Sequence, residues 1–145
     1  MSSSQSPPSA GRQVGAEWTR RNAQRTTLTI TVCENCAARW FPPREACARC
    51  ASADVQNVES EPEGRVYASS VVRIAPHGFQ APYVLAYVDI SGVRLLAHSP
   101  GASQALAPDT PVRLTVAPIA GTGESALTSY AVTPVDGREI TGGTR

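Results

Sequence analysis

The sequence predicts a mainly β fold: a short N-terminal helix, a hairpin stapled by four cysteines, and then a barrel of five strands. Two observations carry this. Cys33, Cys36, Cys47 and Cys50 fall in two C-x-x-C pairs with ten residues between them. Beyond residue 60, five short runs rich in Val, Leu, Ile and Tyr are separated by Pro and Gly, with no helical period between them. A chain of 145 residues has room for one ordinary domain, or for one small domain plus a metal-stapled module too small to fold alone.

Residues 1–15 are rich in Ser, Pro and Gly and hold Val14 as the one large aliphatic after Met1, so they read as a disordered tail. Residues 16–31 read as an N-terminal helix and a strand. The stretch AEWTRRNAQRT lacks Gly and Pro, but Trp18 is its one large apolar group, so a helix here is short and needs a surface to dock on. In TLTITV, Leu28, Ile30 and Val32 alternate with threonines, the mark of a half-buried strand. Residues 32–59 read as a zinc ribbon and its connector, ended by Pro62 and Gly64 just beyond a boundary near residue 60.

Residues 60–136 supply the barrel, with strands over 64–74, 82–90, 93–99, 111–118 and 125–134. Ser91-Gly92 makes a tight turn, so the second and third of these are antiparallel neighbours. Five short antiparallel strands in about seventy residues suit the OB-fold. The usual helix between its third and fourth strands would have to fit in PGASQALAPD, which holds no more than a turn. Residues 137–145 read as a C-terminal tail.

Each C-x-x-C forms a knuckle whose two thiolates point the same way, and two knuckles brought together by a hairpin make a tetrahedral cage for Zn²⁺. All four cysteines are then used, so the site is structural, with metal binding driving the folding of the ribbon. The same four sulfurs suit iron, and two disulfides are the remaining alternative; a cytoplasmic location disfavours the latter. Between the knuckles, Trp40 and Phe41 read as a mini-core shielding the thiolates. Arg39 and Arg44 beside them read as a contact surface.

Composition closes off several functions. The net charge of +1 is not that of a polybasic nucleic-acid binder, and no stretch approaches the length and apolarity of a membrane span. The first fifteen residues lack the apolar core of a secretory signal, which makes cytoplasmic the expected location. All thirteen basic residues are arginine, which excludes Schiff-base chemistry and a P-loop lysine. With every cysteine committed to metal, no nucleophile paired with a base can be read. Asp89 and His98 could meet across the hairpin, a placement that fits a plain polar pair better than an active site.

The run C-x-x-C, aromatic pair, F-P-P-R, C-x-x-C, followed by a G-x-V-x-x-x-x-V strand and the PYVLAYVDI and GVRLLA pair, resembles the family called domain of unknown function thirty-five. The resemblance runs from about Trp18 to about Pro134 and implies a rubredoxin-like zinc ribbon joined to an OB-fold, with a helix in front. It implies a companion role: a non-catalytic accessory subunit of a thiolase-like enzyme, whether thiolase, aldolase or acyltransferase, that supports assembly and binds a CoA thioester. The partner would supply the catalytic groups. Arginine, the only cation here, can grip phosphate through its planar fork, which makes Arg39 and Arg44 the candidate CoA contacts. The alternative is a nucleic-acid-binding OB-fold and ribbon module. Against it, Arg65, Arg73, Arg94 and Arg113 of the barrel are balanced by acids and accompanied by few aromatics, unlike a single-strand groove.

Overall fold

The computed structural model describes residues 11–135, and these form two sheets. The smaller is centred on β3 (Thr26–Cys33). One edge of β3 pairs antiparallel with β2 (Thr19–Arg21) and then with β4 (Arg39–Trp40), and its other edge pairs with β5 (Val55–Glu59). The larger contains the barrel strands β6 (Glu63–Val72), β7 (Tyr83–Ile90), β8 (Val93–His98), β9 (Pro111–Ala120) and β10 (Leu127–Pro134), with β1 (Arg12–Val14) added at its edge.

The pairing runs β9-β6-β7-β8-β10, and β10 closes back onto β9. Every ladder is antiparallel except β8 on β10, which touches in parallel at Ala131 and His98. Five strands closed in this order make the OB barrel that the strand count called for. Alternation along β7 and β8 buries Val84, Ala86, Val88 and Ile90, then Val93, Leu95 and Ala97. Ser91 and Gly92 both take positive φ, 51° and 87°, the mark of a two-residue turn whose twist matches the strands it joins. Ile90 accordingly sits opposite Val93.

No helix stands between β8 and β9. The Ser69 hydroxyl donates to the Leu106 carbonyl (2.8 Å) and accepts from its N–H (2.7 Å), which fixes this loop so that Leu106 packs on the core.

The structure corrects the expected N-terminal helix. Residues Ala16–Trp18 form a single 3-10 turn, and the chain then runs directly into β2. The Asn22 carboxamide accepts from the N–H groups of Gln24 (2.8 Å) and Arg25 (3.0 Å), a local turn that turns the chain back into β3. With Trp18 as its only large apolar group, the segment had no face with which to hold a helix, and the open edge of β3 offered ladder bonds instead.

The expected tail also reaches too far. Residues 1–10 lie outside the described residues, as does the tail assigned to 137–145, but Arg12–Val14 pair in parallel with Leu127–Ser129. In β3, both faces are covered rather than one. Thr27 and Thr31 are buried, with their hydroxyls bonded to the Glu59 carboxylate (2.5 Å) and the Asn57 amide oxygen (2.7 Å). Asp89 faces Arg94, not His98. It makes a two-pronged ion pair with Arg94 (2.7 and 3.1 Å), while His98 lies opposite Leu85 and stacks on Tyr83.

Candidate metal centre

Each knuckle is built the same way. Cys33 Sγ accepts from the N–H groups of Asn35 (3.3 Å) and Cys36 (3.4 Å), and Cys47 Sγ accepts from those of Arg49 (3.3 Å) and Cys50 (3.4 Å). The loops are closed by N–H donation from Ala37 to the Cys33 carbonyl (2.9 Å) and from Ala51 to the Cys47 carbonyl (2.8 Å). This closure needs left-handed backbone just after each second cysteine, and Ala37 and Ala51 take φ of 69° and 67°. The five-residue echo CENCA and CARCA is therefore one turn used twice.

β3 delivers Cys33 at its end, and the four sulfurs come within 4.8 Å of one another. The Cys33–Cys50 and Cys36–Cys47 sulfur pairs are both 3.6 Å apart. Disulfides are excluded at that separation, since bonded sulfurs lie about 2.05 Å apart. Tetrahedral zinc with Zn–S of about 2.3 Å requires sulfurs about 3.8 Å apart, so the donor set fits that ion in number, chemistry and spacing. Cys33 and Cys47 are buried, and Cys36 and Cys50 lie nearer the surface.

Four thiols this close do not ionise alike. Burial pushes Cys47 up, but N–H donors from Cys50 and Arg49, with the Trp40 indole and the Cys36 thiol, outweigh it and bring Cys47 down to about 6. Cys50 is lowered first by the Asn35 side-chain amide, 3.4 Å away, and then by the N–H of Ser52. The Ala38 N–H pulls Cys36 down, yet burial and the neighbouring thiols push it up to about 11. A bound divalent cation would hold all four as thiolates. The Trp40 N–H is buried, without a well-formed hydrogen bond, and close enough to Cys47 to lower it.

Trp40 thus attends the cage, as the sequence suggested, but Phe41 does not. Its ring meets Trp18 on one side and Tyr130 on the other, edge to face, with centroids 5.5 Å apart in both cases. Arg39 reaches to the barrel, donating to the Ser91 carbonyl (3.0 Å), while Arg44 folds back over the Trp40 ring (5.2 Å) and donates to the Ala46 carbonyl (3.2 Å). The two guanidinium groups are therefore used within the chain and pointed at different partners. Asn35, Ala37 and Ala51 were missed in the sequence; the repeated C-x-x-C-A was the signal for the alanines.

A four-cysteine ribbon sharing strands and core with a closed OB barrel defines the class of this protein. Residues 23–56 match the family described as ChsH2, rubredoxin-like zinc ribbon domain, and residues 57–117 match that described as ChsH2, C-terminal OB-fold domain. A solved structure, the Ltp2-ChsH2(DUF35) aldolase, superposes with a TM-score of 0.57 and 31% identity, covering 76% of this chain and 86% of that one. The chain belongs to this ChsH2 family of zinc-ribbon and OB-fold proteins. It is also similar to a DUF35 domain-containing scaffold protein of Methanocaldococcus jannaschii (35% identity; 58% of this chain, 62% of the relative). A second relative is the benzoylsuccinyl-CoA thiolase subunit BbsA of Geobacter metallireducens (33%; 60% of each chain). The chain thus spans about three fifths of the length of these two curated relatives. No described helix is long and apolar enough to cross a membrane.

Proposed function

We propose that this chain is a non-catalytic, structural-zinc OB-fold subunit of a thiolase-like enzyme acting on acyl-CoA, which it helps to assemble and to supply with its CoA thioester. The observation that carries this reading is the likeness, over both the ribbon and the barrel, to a chain of an aldolase and to a named thiolase subunit. The chemistry is consistent with it. All four cysteines of the sequence belong to the cage, so a covalent acyl-enzyme would have to form on the partner's nucleophile. Arg39 and Arg44 each spend one of five guanidinium donors within the chain, which leaves donors for CoA phosphates.

The test is co-expression with the thiolase-like enzyme encoded beside this chain. A stable complex should be recovered, with about one zinc per copy of this chain and turnover of acyl-CoA in the complex alone. Turnover by the isolated chain, or failure of the two to associate, would overturn the proposal. Calorimetry with CoA addresses the finer part. Arg39→Ala with Arg44→Ala should weaken binding to the complex by about 1–3 kcal/mol per charged hydrogen bond lost, with zinc content unchanged.

A further inference from the structure

The division into ribbon and barrel follows the chain but not the packing. Leu28 and Ile30 lie on β3, the central strand of the ribbon sheet, yet both are 0% exposed and belong to one core with Val66, Val88, Val112 and Val132 of the barrel. Three residues beyond Ile30 the same strand ends in Cys33, a cage cysteine. Nothing intervenes between core and cage except Thr31, whose hydroxyl accepts from the Arg44 N–H (3.0 Å) and so ties β3 to the loop between the knuckles.

Two further ties bind the halves. The first is the N-terminal segment: β1 lies on β10, the turn at Trp18 lies on Phe41, and β2 lies on β3. Gly15, at φ 74°, lies so close to Tyr130 that a β-carbon there would sit 3.0 Å from its ring. The Trp18, Phe41 and Tyr130 stack therefore joins strap, knuckle loop and barrel. The second is the barrel turn at Ser91, whose carbonyl accepts from Arg39 (3.0 Å) and whose hydroxyl accepts from the Glu61 N–H (2.8 Å).

From this we infer that the metal cage and the OB barrel are a single cooperative folding unit, so that metal occupancy of Cys33, Cys36, Cys47 and Cys50 controls the order of the barrel as well as the ribbon. Losing the metal frees the end of β3 and the loop that carries Phe41, and the barrel core loses the fixed positions of Leu28 and Ile30. A ribbon that were only appended would melt alone. Fused at the core, it passes metal loss to the ladders of β9 and β10. A subunit built this way presents its barrel to a partner only when metallated.

The inference rests on the cage holding zinc, so elemental analysis of the full chain comes first. A folded chain without metal would overturn the zinc reading and this inference together. A zinc chelator is then titrated against the full chain, with released zinc measured by a colorimetric indicator and backbone protection by hydrogen-exchange mass spectrometry. Zinc release should cost peptides covering 84–90, 112–116 and 130–134 at least tenfold in protection, in step with the peptide covering 33–40. The single melting transition should fall by more than about 10 °C and return on adding zinc. Loss of protection confined to residues 33–52, with the barrel peptides and the melting temperature unmoved, would overturn the inference. Cys47→Ser supplies the same comparison without chelator: matching barrel exchange supports the coupling, and wild-type exchange in the barrel refutes it.

Discussion

The left-handed residue after each knuckle is where sequence and geometry meet most sharply. Ala37 and Ala51 sit at φ of 69° and 67°, which costs an L-residue roughly 1–2 kcal/mol against right-handed backbone. Glycine avoids that strain but loses more freedom on folding, so Ala37→Gly and Ala51→Gly should lie between neutral and about 1 kcal/mol stabilising. Valine is the opposite case: its branched β-carbon makes positive φ a true outlier, and Ala51→Val should destabilise by at least about 2 kcal/mol and weaken metal retention. Denaturant melts with zinc readout separate the two; equal effects of Gly and Val would mean that the turn is not under strain. Tyr130 offers a pH test. Burial raises its phenol above the ordinary value of 10.0, so the unfolded chain ionises first as pH climbs. The stability it protects is complete below pH 10 and is lost as pH rises through the folded value, so Tyr130→Phe should flatten the alkaline fall in melting temperature. An unchanged alkaline limb would assign that fall to other groups.

At the scale of elements, strands whose residues alternate against a single core were legible: the β7 and β8 spans, their tight turn and their register follow from PYVLAYVDI, Ser91-Gly92 and VRLLAH. What misled was context. The stretch 16–26 has helix-compatible residues, but an unfilled edge of β3 decided its structure, and an edge supplied by other residues leaves no mark within that stretch. Val14 looked like part of a tail because its partner, Ser129, is more than a hundred residues away. The knuckles were readable because a metal fixes spacing locally; the destination of Phe41 was not, because it depends on Tyr130 across the barrel. The contact between Arg39 and the β7–β8 turn is another such non-local pairing, and it can be measured. A β-carbon on Gly92, at φ 87°, would lie 2.6 Å from Arg39 Cδ. Gly92→Ala should therefore cost about 1–2 kcal/mol from backbone strain plus a steric part. Arg39→Ala removes the obstruction, so the double variant should be less destabilised than the two single losses added together, by at least about 0.5 kcal/mol. Strict additivity in a double-mutant cycle would mean that ribbon and turn do not press on each other.

For the molecule as a whole, the question is whether the barrel is a domain. By chain order it begins near residue 60, and the family match itself changes at 56–57. By packing it does not, since Leu28 and Ile30 fill its core and Ser60 is bonded at both ends to Leu28, its N–H to the carbonyl (2.7 Å) and its hydroxyl to the amide (2.9 Å). Truncating one large aliphatic in a core costs about 2–5 kcal/mol, the more so where the walls cannot collapse into the void. A closed barrel is such a wall, its radius being set by strand number and stagger rather than by its filling. Leu28→Ala and Ile30→Ala should therefore each cost the full chain about 2–5 kcal/mol. A fragment spanning 60–135 loses both side chains, and β1 of the strap, at once. That loss compares with the entire stability of a typical domain, about 5–15 kcal/mol. The fragment should accordingly show collapsed, poorly dispersed amide resonances and bind a hydrophobic dye, whereas a chain covering 11–135 with zinc should show one sharp set of resonances. A cooperative melt and a dispersed spectrum from the 60–135 fragment would mean that β3 lies against a barrel able to close over its own side chains, and that the ribbon is an appended module after all.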